Sequence, residues 1–443
     1  MSNPNIFEQI KSVENITSQL KSKFDLAYNP FPKSGIAIID ESDEIVGKLE
    51  PIDEQVTTTI VDYIKDALSA SVTPNSSKEK YLSLIIRGDY GSGKTQTLMY
   101  IRYLLKNLAA GNYRPYVVYI DNPGQKLSEL IGGIVAQIGI ENFRKYLWNI
   151  FLDYLDKNDA EKVVLKQAAK RLEEATIFSS GAPLSFSVTN YKDFIDQIET
   201  SLNTFDRKMF KQKLKDSMLK CFSCYSDSQA VSSYFYDIVS DTVGGSKAWD
   251  SLTSGSMKEL DKREVNILKA VVDLVKNQMG YSDFVILIDE FEEITAERLK
   301  KQDIDNYLRN LRLLIDREKN WCSVFAMTGQ ALQIIDSYSP PLASRIKDRV
   351  IDLKPLDLSS LRRLVENYLS IARVDNSAKD SLCPFTEKGL QSLLEVKNPK
   401  LKGSPRFLLK ACYLLLQRAS EKLEPSQHID EVFVEKFMDD LIK

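Results

Sequence analysis

The sequence is poor in the residues that build metal sites and disulfides, with one histidine, His428, and five cysteines among 443 residues. The odd number of cysteines is typical of a protein from a reducing compartment. Cys221 and Cys224 form a single C-x-x-C pair, and a structural zinc site would need two further ligands. We therefore interpret them as two thiols one turn apart on a helix.

Long apolar runs and a strong excess of one charge are also missing. No apolar stretch reaches the roughly 20 residues that span a bilayer, and none near residue 1 resembles a signal peptide. The formal net charge is −3, so a nucleic-acid partner would have to meet a local basic patch. These absences predict a cytoplasmic protein with no membrane partner.

The most informative pattern that is present is a glycine-rich loop of the form G-x-x-x-x-G-K-T, which directly follows the apolar segment 82–86. In such a turn from strand to helix, backbone N–H groups cradle phosphates, the lysine reaches the β and γ phosphates, and the last hydroxyl binds Mg²⁺. A helix with apolar residues on one side follows, as the motif requires. The loop therefore predicts a site for a nucleoside triphosphate. Its residues are Gly88, Asp89, Tyr90, Gly91, Ser92, Gly93, Lys94 and Thr95.

Around this loop, apolar strands alternate with helical patterns. Near-continuous apolar strands separated by helices are typical of a parallel sheet that is covered on both faces. We therefore predict an α/β fold of the P-loop NTPase class. Its strands are predicted at 82–86, 116–120, 284–288, 323–327 and 350–353.

The same patterns divide the chain into three regions. Residues 1–79 form a lead-in with an amphipathic helix at 53–69. Residues 80–355 form the core, interrupted at about 141–280 by a long and mostly helical insert that far exceeds a plain crossover between parallel strands. Residues 356–443 contain no convincing strand and predict a small helical domain.

A second candidate for chemistry follows the strand at 284–288. Asp289 and Glu290 come at its carboxyl end, the edge at which ligands bind in open α/β sheets. Asp289 would hold Mg²⁺ through its water shell, and Glu290 would polarise the attacking water. The alternative is a solvated acidic turn, because Glu292 and Glu293 continue the charge. The glycine-rich loop upstream favours the first interpretation.

The loop and the acidic pair together resemble those of an AAA+ ATPase, and later positions extend the resemblance. Thr328 is similar to the polar residue that orients the lytic water after the fourth strand, with Gln330 as a rival. Arg345, or else Arg349, resembles the arginine that one subunit presents to the ATP of its neighbour. Arg406, in Gly-Ser-Pro-Arg at a helix start, resembles the arginine that reaches from the lid domain to the phosphates. Each could instead be a turn residue, a surface ion pair or an ordinary helix start.

The resemblance covers about 80–140 and 281–421, and it is strongest to the initiator branch, which includes origin-recognition and transposition-regulator ATPases. It implies an AAA+ core with a helical lid, ATP and Mg²⁺ as cofactors, ATP hydrolysis and self-association. It also implies assembly or recruitment in a DNA-linked process, such as a mobile element, replication or defence. The alternative is a signalling or scaffold NTPase that acts on a protein partner without DNA. The insert is larger than that branch usually has, which leaves any transferred partner open.

Two further segments are candidates for contact with a ligand. The Asn-Pro-Phe element at 29–31 is similar to a segment near the adenine in several such ATPases, so residues 29–39 are expected near the base. A helix over about 205–220 combines lysines with apolar residues at helical spacing, which first indicates a packed helix with a wet face. DNA contact by that face is the alternative.

Overall fold

The structure is a computed structural model. It describes residues 17–34, 49–69, 81–107, 115–165, 190–201, 204–224, 229–240, 243–254, 271, 283–296, 298–317, 321–375, 381–395 and 402–442.

Five parallel strands form one sheet in the order β2-β3-β4-β1-β5. All carboxyl ends therefore lie at the same edge, with β1 between β4 and β5. The predicted α/β class and the five predicted strands are confirmed, with ends that differ by one or two residues. The strands are β1 (Leu82–Arg87), β2 (Pro115–Ile120), β3 (Asp283–Ile288), β4 (Trp321–Met327) and β5 (Arg349–Asp352).

The α-helices are numbered along the described segments. They are α1 (Glu54–Ser69), α2 (Lys94–Asn107), α3 (Leu127–Ile138), α4 (Ile140–Lys157), α5 (Tyr191–Ser201), α6 (Thr204–Ser223), α7 (Gln229–Val239), α8 (Val243–Thr253), α9 (Lys301–Arg317), α10 (Gly329–Tyr338), α11 (Pro340–Ile346), α12 (Leu358–Ala372), α13 (Glu387–Leu394), α14 (Pro405–Lys422) and α15 (Glu431–Ile442). None of these helices combines the length and the apolar composition that crossing a membrane requires.

Helices cover both faces of the sheet, because successive side chains of a strand point to opposite faces. On β1, Leu84 and Ile86 join a buried cluster with side chains of α1 and α2. Ile85, between them, joins the cluster on the other face, which includes side chains of α3, α9 and α10. Burial on both faces explains why the three central strands, β3, β4 and β1, are near-continuous apolar runs.

The insert packs on the same face as α3. Its described helices are α4 to α8, which agrees with the mostly helical insert that the sequence predicts. Trp148, Phe210 and Phe235 are at most 1% exposed, and they belong to the same buried cluster as Phe284 and Ile286 of β3. The insert core and the sheet core are therefore continuous.

The last four helices, α12 to α15, have an apolar core of their own, and we call them the lid. Residues 17–34 pack into that core, with Phe24 and Phe31 at most 3% exposed. Arg373 ties them to the lid, because its Nη1 donates to the carbonyl of Phe24 at 2.6 Å. The sequence pattern did not indicate this packing of the lead-in.

Candidate nucleotide site

The glycine-rich loop connects β1 to α2 at the carboxyl edge of the sheet, as predicted. Gly91 and Gly93 have φ angles of 77° and 98°, which residues with a Cβ atom rarely adopt. The N–H of Gly88 donates to the carbonyl of Met327 at 3.2 Å and anchors the loop to β4. Because α2 begins at Lys94, the positive end of its dipole lies at the loop, which suits a bound phosphate.

Lys94 is held within the loop. Its side chain is 6% exposed, and Nζ donates to the carbonyls of Gly88 at 3.3 Å and Asp89 at 3.4 Å. Nζ also lies 3.5 Å from Oε1 of Glu292, which is 7% exposed. Burial raises the pKa of the Glu292 carboxyl, and Lys94 offsets only part of that rise. Phosphates bound in the loop would therefore compete with Glu292 for the ammonium group.

The hydroxyl of Thr95 meets the acidic end of β3. Thr95 Oγ1 donates to Oδ2 of Asp289 at 2.6 Å, although the two residues are 194 positions apart. Asp289 is 3% exposed, and its Oδ1 accepts the N–H of Glu290 at 2.9 Å. The described segments contain no group of three or more His, Cys, Asp or Glu side chains that could hold a metal. Thr95 and Asp289 still fit Mg²⁺, which usually binds one or two carboxylates together with waters and substrate phosphates.

Glu290 lies beside the cavity that adjoins the loop. Its backbone is left-handed, with φ 48° and ψ 36°, which is uncommon for a residue with a side chain and is found at functional sites. Burial raises the pKa of its carboxyl, the charges of Glu292 and Asp289 add to that rise, and Lys94 opposes it. A raised pKa makes a carboxylate a better proton acceptor for water.

The amino end of α14 touches the glycine-rich loop. The N–H of Arg406 donates to the carbonyl of Gly91 at 3.2 Å, and a Cβ atom at Gly91 would lie 2.9 Å from Cβ of Arg406. Gly403, with φ 70°, accepts the N–H of Leu356 at 2.9 Å where the chain passes from β5 into the lid. A change in lid angle would therefore move Arg406 relative to the loop.

A cavity of about 440 Å³ lies between the loop, the end of β5 and the lid helices α12 and α14. Leu353, Leu364 and Leu409 contribute to an apolar wall, which suits a nucleobase. Another part of the wall comes from 49–53 and Val56, where no sequence motif predicts a ligand. A proline and the start of an amphipathic helix are the only sequence features there, and neither indicates a ligand.

The structure describes only the first part, 29–34, of the segment expected near the base. Residues 29–34 pack on the lid, where Asn29 Nδ2 donates to the carbonyl of Tyr413 at 3.1 Å. The ring of Phe31 stacks on that of Tyr368 with centres 5.6 Å apart, and Tyr368 in turn lines the cavity. Residues 35–39 lie outside the described residues, so contact between that part and the base stays a prediction.

Thr328 follows β4 and caps α10, because its Oγ1 accepts the N–H of Ala331 at 3.2 Å. The carbonyl of the preceding residue, Met327, accepts the N–H of Gly88, so Thr328 lies beside the start of the glycine-rich loop. Gln330, the rival candidate, is exposed on the first turn of α10. The position of Thr328 suits contact with a bound phosphate or water, and its cap explains its residue type equally well.

Arg345 and Arg349 lie towards the amino edge of the sheet. The carbonyl of Arg345 accepts Ser83 Oγ at 3.2 Å, and Arg349 pairs with Leu84 in the sheet. Ser83 and Gly88 are five residues apart on an extended strand, a separation of roughly 16 Å. Both guanidinium groups form ion pairs within the chain, that of Arg345 with Asp316 and that of Arg349 with Asp66. Neither arginine is brought to the site of its own chain.

Helix α6 carries the lysines that are candidates for DNA contact. Phe210, Leu214 and Met218 are at most 1% exposed, so its apolar side is packed. On the opposite, solvent-facing side, Lys220 pairs with Glu161 at 2.6 Å, and Lys215 Nζ lies 5.0 Å from the ring centre of Tyr236. Cys221 lies on the same helix and is buried, whereas Cys224 follows the last residue of the helix and is exposed. Burial raises the pKa of the Cys221 thiol.

Replacing Glu292 with glutamine should tighten nucleotide binding about tenfold, which corresponds to about 1.4 kcal/mol. The substitution keeps the shape of the side chain but removes the charge that holds Lys94, so that phosphates no longer compete with a carboxylate for the ammonium group. Titration of the full chain with a fluorescent ADP or ATP analogue measures this affinity.

Glu293→Gln is the matched control, because it removes a neighbouring negative charge that pairs with Arg298 and not with Lys94. Its nucleotide affinity should stay within about twofold of the wild type, since it is partly exposed and its charge is screened. Equal gains in both variants would show a general charge effect. Weaker binding in Glu292→Gln would contradict competition for Lys94.

Comparison with known proteins gives similarity in structure and not in sequence. No protein-family model matches the chain, and no curated protein sequence matches it. Among similar solved structures, the ORC2 protein of Aeropyrum pernix in ADPNP–ADP complexes is 14% identical, over 89% of this chain and 68% of its own, with a TM-score of 0.45. Its ADP form is 13% identical over 90% and 73%, with a TM-score of 0.45. Cdc6p of Pyrobaculum aerophilum is 9% identical over 92% and 72%, with a TM-score of 0.39.

Proposed function

We propose that this chain binds ATP with Mg²⁺ between the glycine-rich loop and the lid, and hydrolyses it to ADP and phosphate. The observation that carries the proposal is the 2.6 Å contact between Thr95 Oγ1 and Asp289 Oδ2. It brings two oxygen ligands from distant parts of the sequence together beside a loop whose backbone suits phosphates.

Each side chain of the site has a distinct task in this proposal. Lys94 leaves Glu292 for the β and γ phosphates, and Thr95 and Asp289 hold the metal ion. Mg²⁺, when bound, neutralises charge on the phosphate oxygens. Glu290 orients the attacking water and accepts its proton. Arg406 touches the phosphates from the lid, so that the lid angle follows the nucleotide state.

Self-association is part of the proposal. Arg345 lies beside Ser83, roughly 16 Å along β1 from the start of the glycine-rich loop, which is too far to reach the phosphates of its own chain. A role for it in hydrolysis therefore requires a second copy. To reach the ATP of a neighbouring copy, its guanidinium would break its ion pair with Asp316 and bind the γ-phosphate instead. Arg349, which pairs with Asp66, is the second choice for this role. Thr328 would orient the lytic water beside the γ-phosphate.

The DNA-linked use of this cycle is a proposal that rests on the resemblance of the motifs to initiator ATPases. In it, ATP binding promotes assembly and recruitment of a partner on DNA, and hydrolysis resets the assembly. The exposed side of α6, where Lys208 and Lys213 lie, is the candidate DNA contact. Lys402, next to the amino end of α14, is exposed as well and is a separate candidate for DNA contact.

Particle mass with and without ATP, and with and without duplex DNA, tests the proposal. ATP with Mg²⁺ should raise the mass to a multiple of 50.4 kDa, whereas ADP should not. DNA should bind the assembled form, and its binding should weaken steeply as salt increases. Analytical ultracentrifugation of the full chain measures both effects.

The other outcomes of this experiment separate the competing functions. A single-chain mass under all conditions would contradict self-association and favour a monomeric switch. Assembly with ATP that ignores DNA would favour the signalling or scaffold NTPase that acts on a protein partner. Glu290→Gln, which should bind ATP without hydrolysing it, serves as the control that holds the ATP state.

A further inference from the structure

A buried tyrosine contacts the acid that is proposed to hold the metal ion. Tyr119, the fifth residue of β2, is 5% exposed, and its hydroxyl donates to Oδ2 of Asp289 at 2.9 Å. This is the same oxygen that accepts the hydroxyl of Thr95 at 2.6 Å. With the N–H of Glu290 on Oδ1, the Asp289 carboxylate has donors on both of its oxygens, and its rotation is fixed.

The backbone of Tyr119 is fixed as well. Within the described residues β2 is an edge strand, so no described strand pairs with its outer N–H and carbonyl groups. The side-chain amide of Gln137 on α3 takes the place of a strand there: Oε1 accepts the N–H of Tyr119 at 3.1 Å, and Nε2 donates to its carbonyl. The guanidinium of Arg102 on α2 lies over the tyrosine ring, 5.9 Å from its centre.

We propose that Tyr119 is a positioning residue for the metal site, which holds the Asp289 carboxylate in the orientation that Mg²⁺ and Thr95 require. This inference rests on the proposed function. Thr95 can offer a lone pair to the ion only if its proton has an acceptor, and Asp289 Oδ2 is that acceptor. A carboxylate that rotated freely would lose this geometry. Outer partners of this kind typically change metal affinity 10- to 100-fold.

The tyrosine remains a donor throughout. A phenol hydroxyl carries one proton, and here that proton is donated to Asp289 Oδ2. If the hydrogen bond to Asp289 served only to satisfy the buried hydroxyl of Tyr119, it would stabilise the fold equally with and without metal. A positioning residue would instead change the coupling between metal and nucleotide.

The test compares Tyr119→Phe with the wild type in ADP binding by the full chain, in EDTA and across a Mg²⁺ titration. The Mg²⁺ concentration that gives half of the gain in ADP affinity should rise about tenfold in the variant, whereas the affinity in EDTA should not change. Displacement of Mn²⁺, followed by its paramagnetic resonance signal, gives a second readout that does not depend on hydrolysis.

Tyr63→Phe is the matched control. It removes another buried tyrosine hydroxyl, which donates to the carbonyl of Ser323 at 3.0 Å, and it should leave the Mg²⁺ midpoint unchanged. Gln137→Met provides a second route, since it releases the backbone of Tyr119 without touching the site and should shift the midpoint in the same direction by a smaller factor. If Tyr119→Phe does not fold, this variant carries the test.

The outcomes are separable from those of the proposed function. A wild-type Mg²⁺ midpoint in Tyr119→Phe would overturn the inference, and so would an equal loss of ADP affinity in EDTA, which would indicate a structural role. A wild-type chain whose nucleotide affinity ignores Mg²⁺ would overturn the proposed function first, and this inference with it.

Discussion

Replacing Glu290 with glutamine is expected to slow ATP hydrolysis about 10³-fold without weakening ATP binding. Glutamine has the same side-chain length as glutamate. It would occupy the same left-handed backbone conformation, with φ 48°, so the turn should fold as in the wild type. It cannot accept a proton from water. The substitution also removes one negative charge beside Asp289 and Glu292, so ATP affinity should be unchanged or higher. Single-turnover hydrolysis and an ATP titration measure the two quantities separately.

Glu293→Gln is the control for this prediction too, because it lies three positions further and pairs with Arg298. Its hydrolysis rate should remain close to that of the wild type. Hydrolysis above about a tenth of the wild-type rate in Glu290→Gln would remove this residue as the proton acceptor. Loss of ATP binding in the same variant would point to a distorted site and not to lost chemistry.

The parts of the fold that the sequence predicts are those whose signals are local. The central strands β1, β3 and β4 are buried on both faces and are therefore near-continuous apolar runs. The glycine-rich loop needs glycine at Gly91 and Gly93, where φ is positive. Asp289 and Glu290 were predicted at the sheet edge because they directly follow such a strand. These features depend on neighbours in the sequence and can be recognised without knowing the tertiary structure.

The parts that the sequence does not predict depend on contacts between distant segments. Leu20, Phe24 and Leu26 are buried in the lid core, and no local sequence pattern shows that the lid covers them. The same limit applies to Glu292 and Glu293, which look alike as a solvated acidic turn. In the structure a 3₁₀ turn over Phe291–Thr295 directs Glu292 to Lys94 and Glu293 to Arg298.

Replacing Lys94 with methionine is expected to weaken ATP binding about 10³-fold, because truncating one partner of a buried charged contact costs about 2–5 kcal/mol. The same substitution leaves Glu292 buried without its cation, which should lower the melting temperature. Isothermal titration with ATP and a thermal melt of the same sample measure both effects. ATP affinity within about threefold of the wild type would contradict the assignment of the phosphate site.

The double variant Lys94→Met with Glu292→Gln separates these two effects. Methionine and glutamine keep roughly the original volumes and leave no unpaired charge, so the melting temperature should recover while ATP binding stays weak. Glu292→Gln alone should tighten binding about tenfold, but in the Lys94→Met background that gain should vanish, because there is no ammonium group left to release. A tenfold gain that persisted without Lys94 would show that Glu292 acts on the nucleotide directly. Loss of the gain would mean that Glu292 and the phosphates of ATP compete for the ammonium group of Lys94.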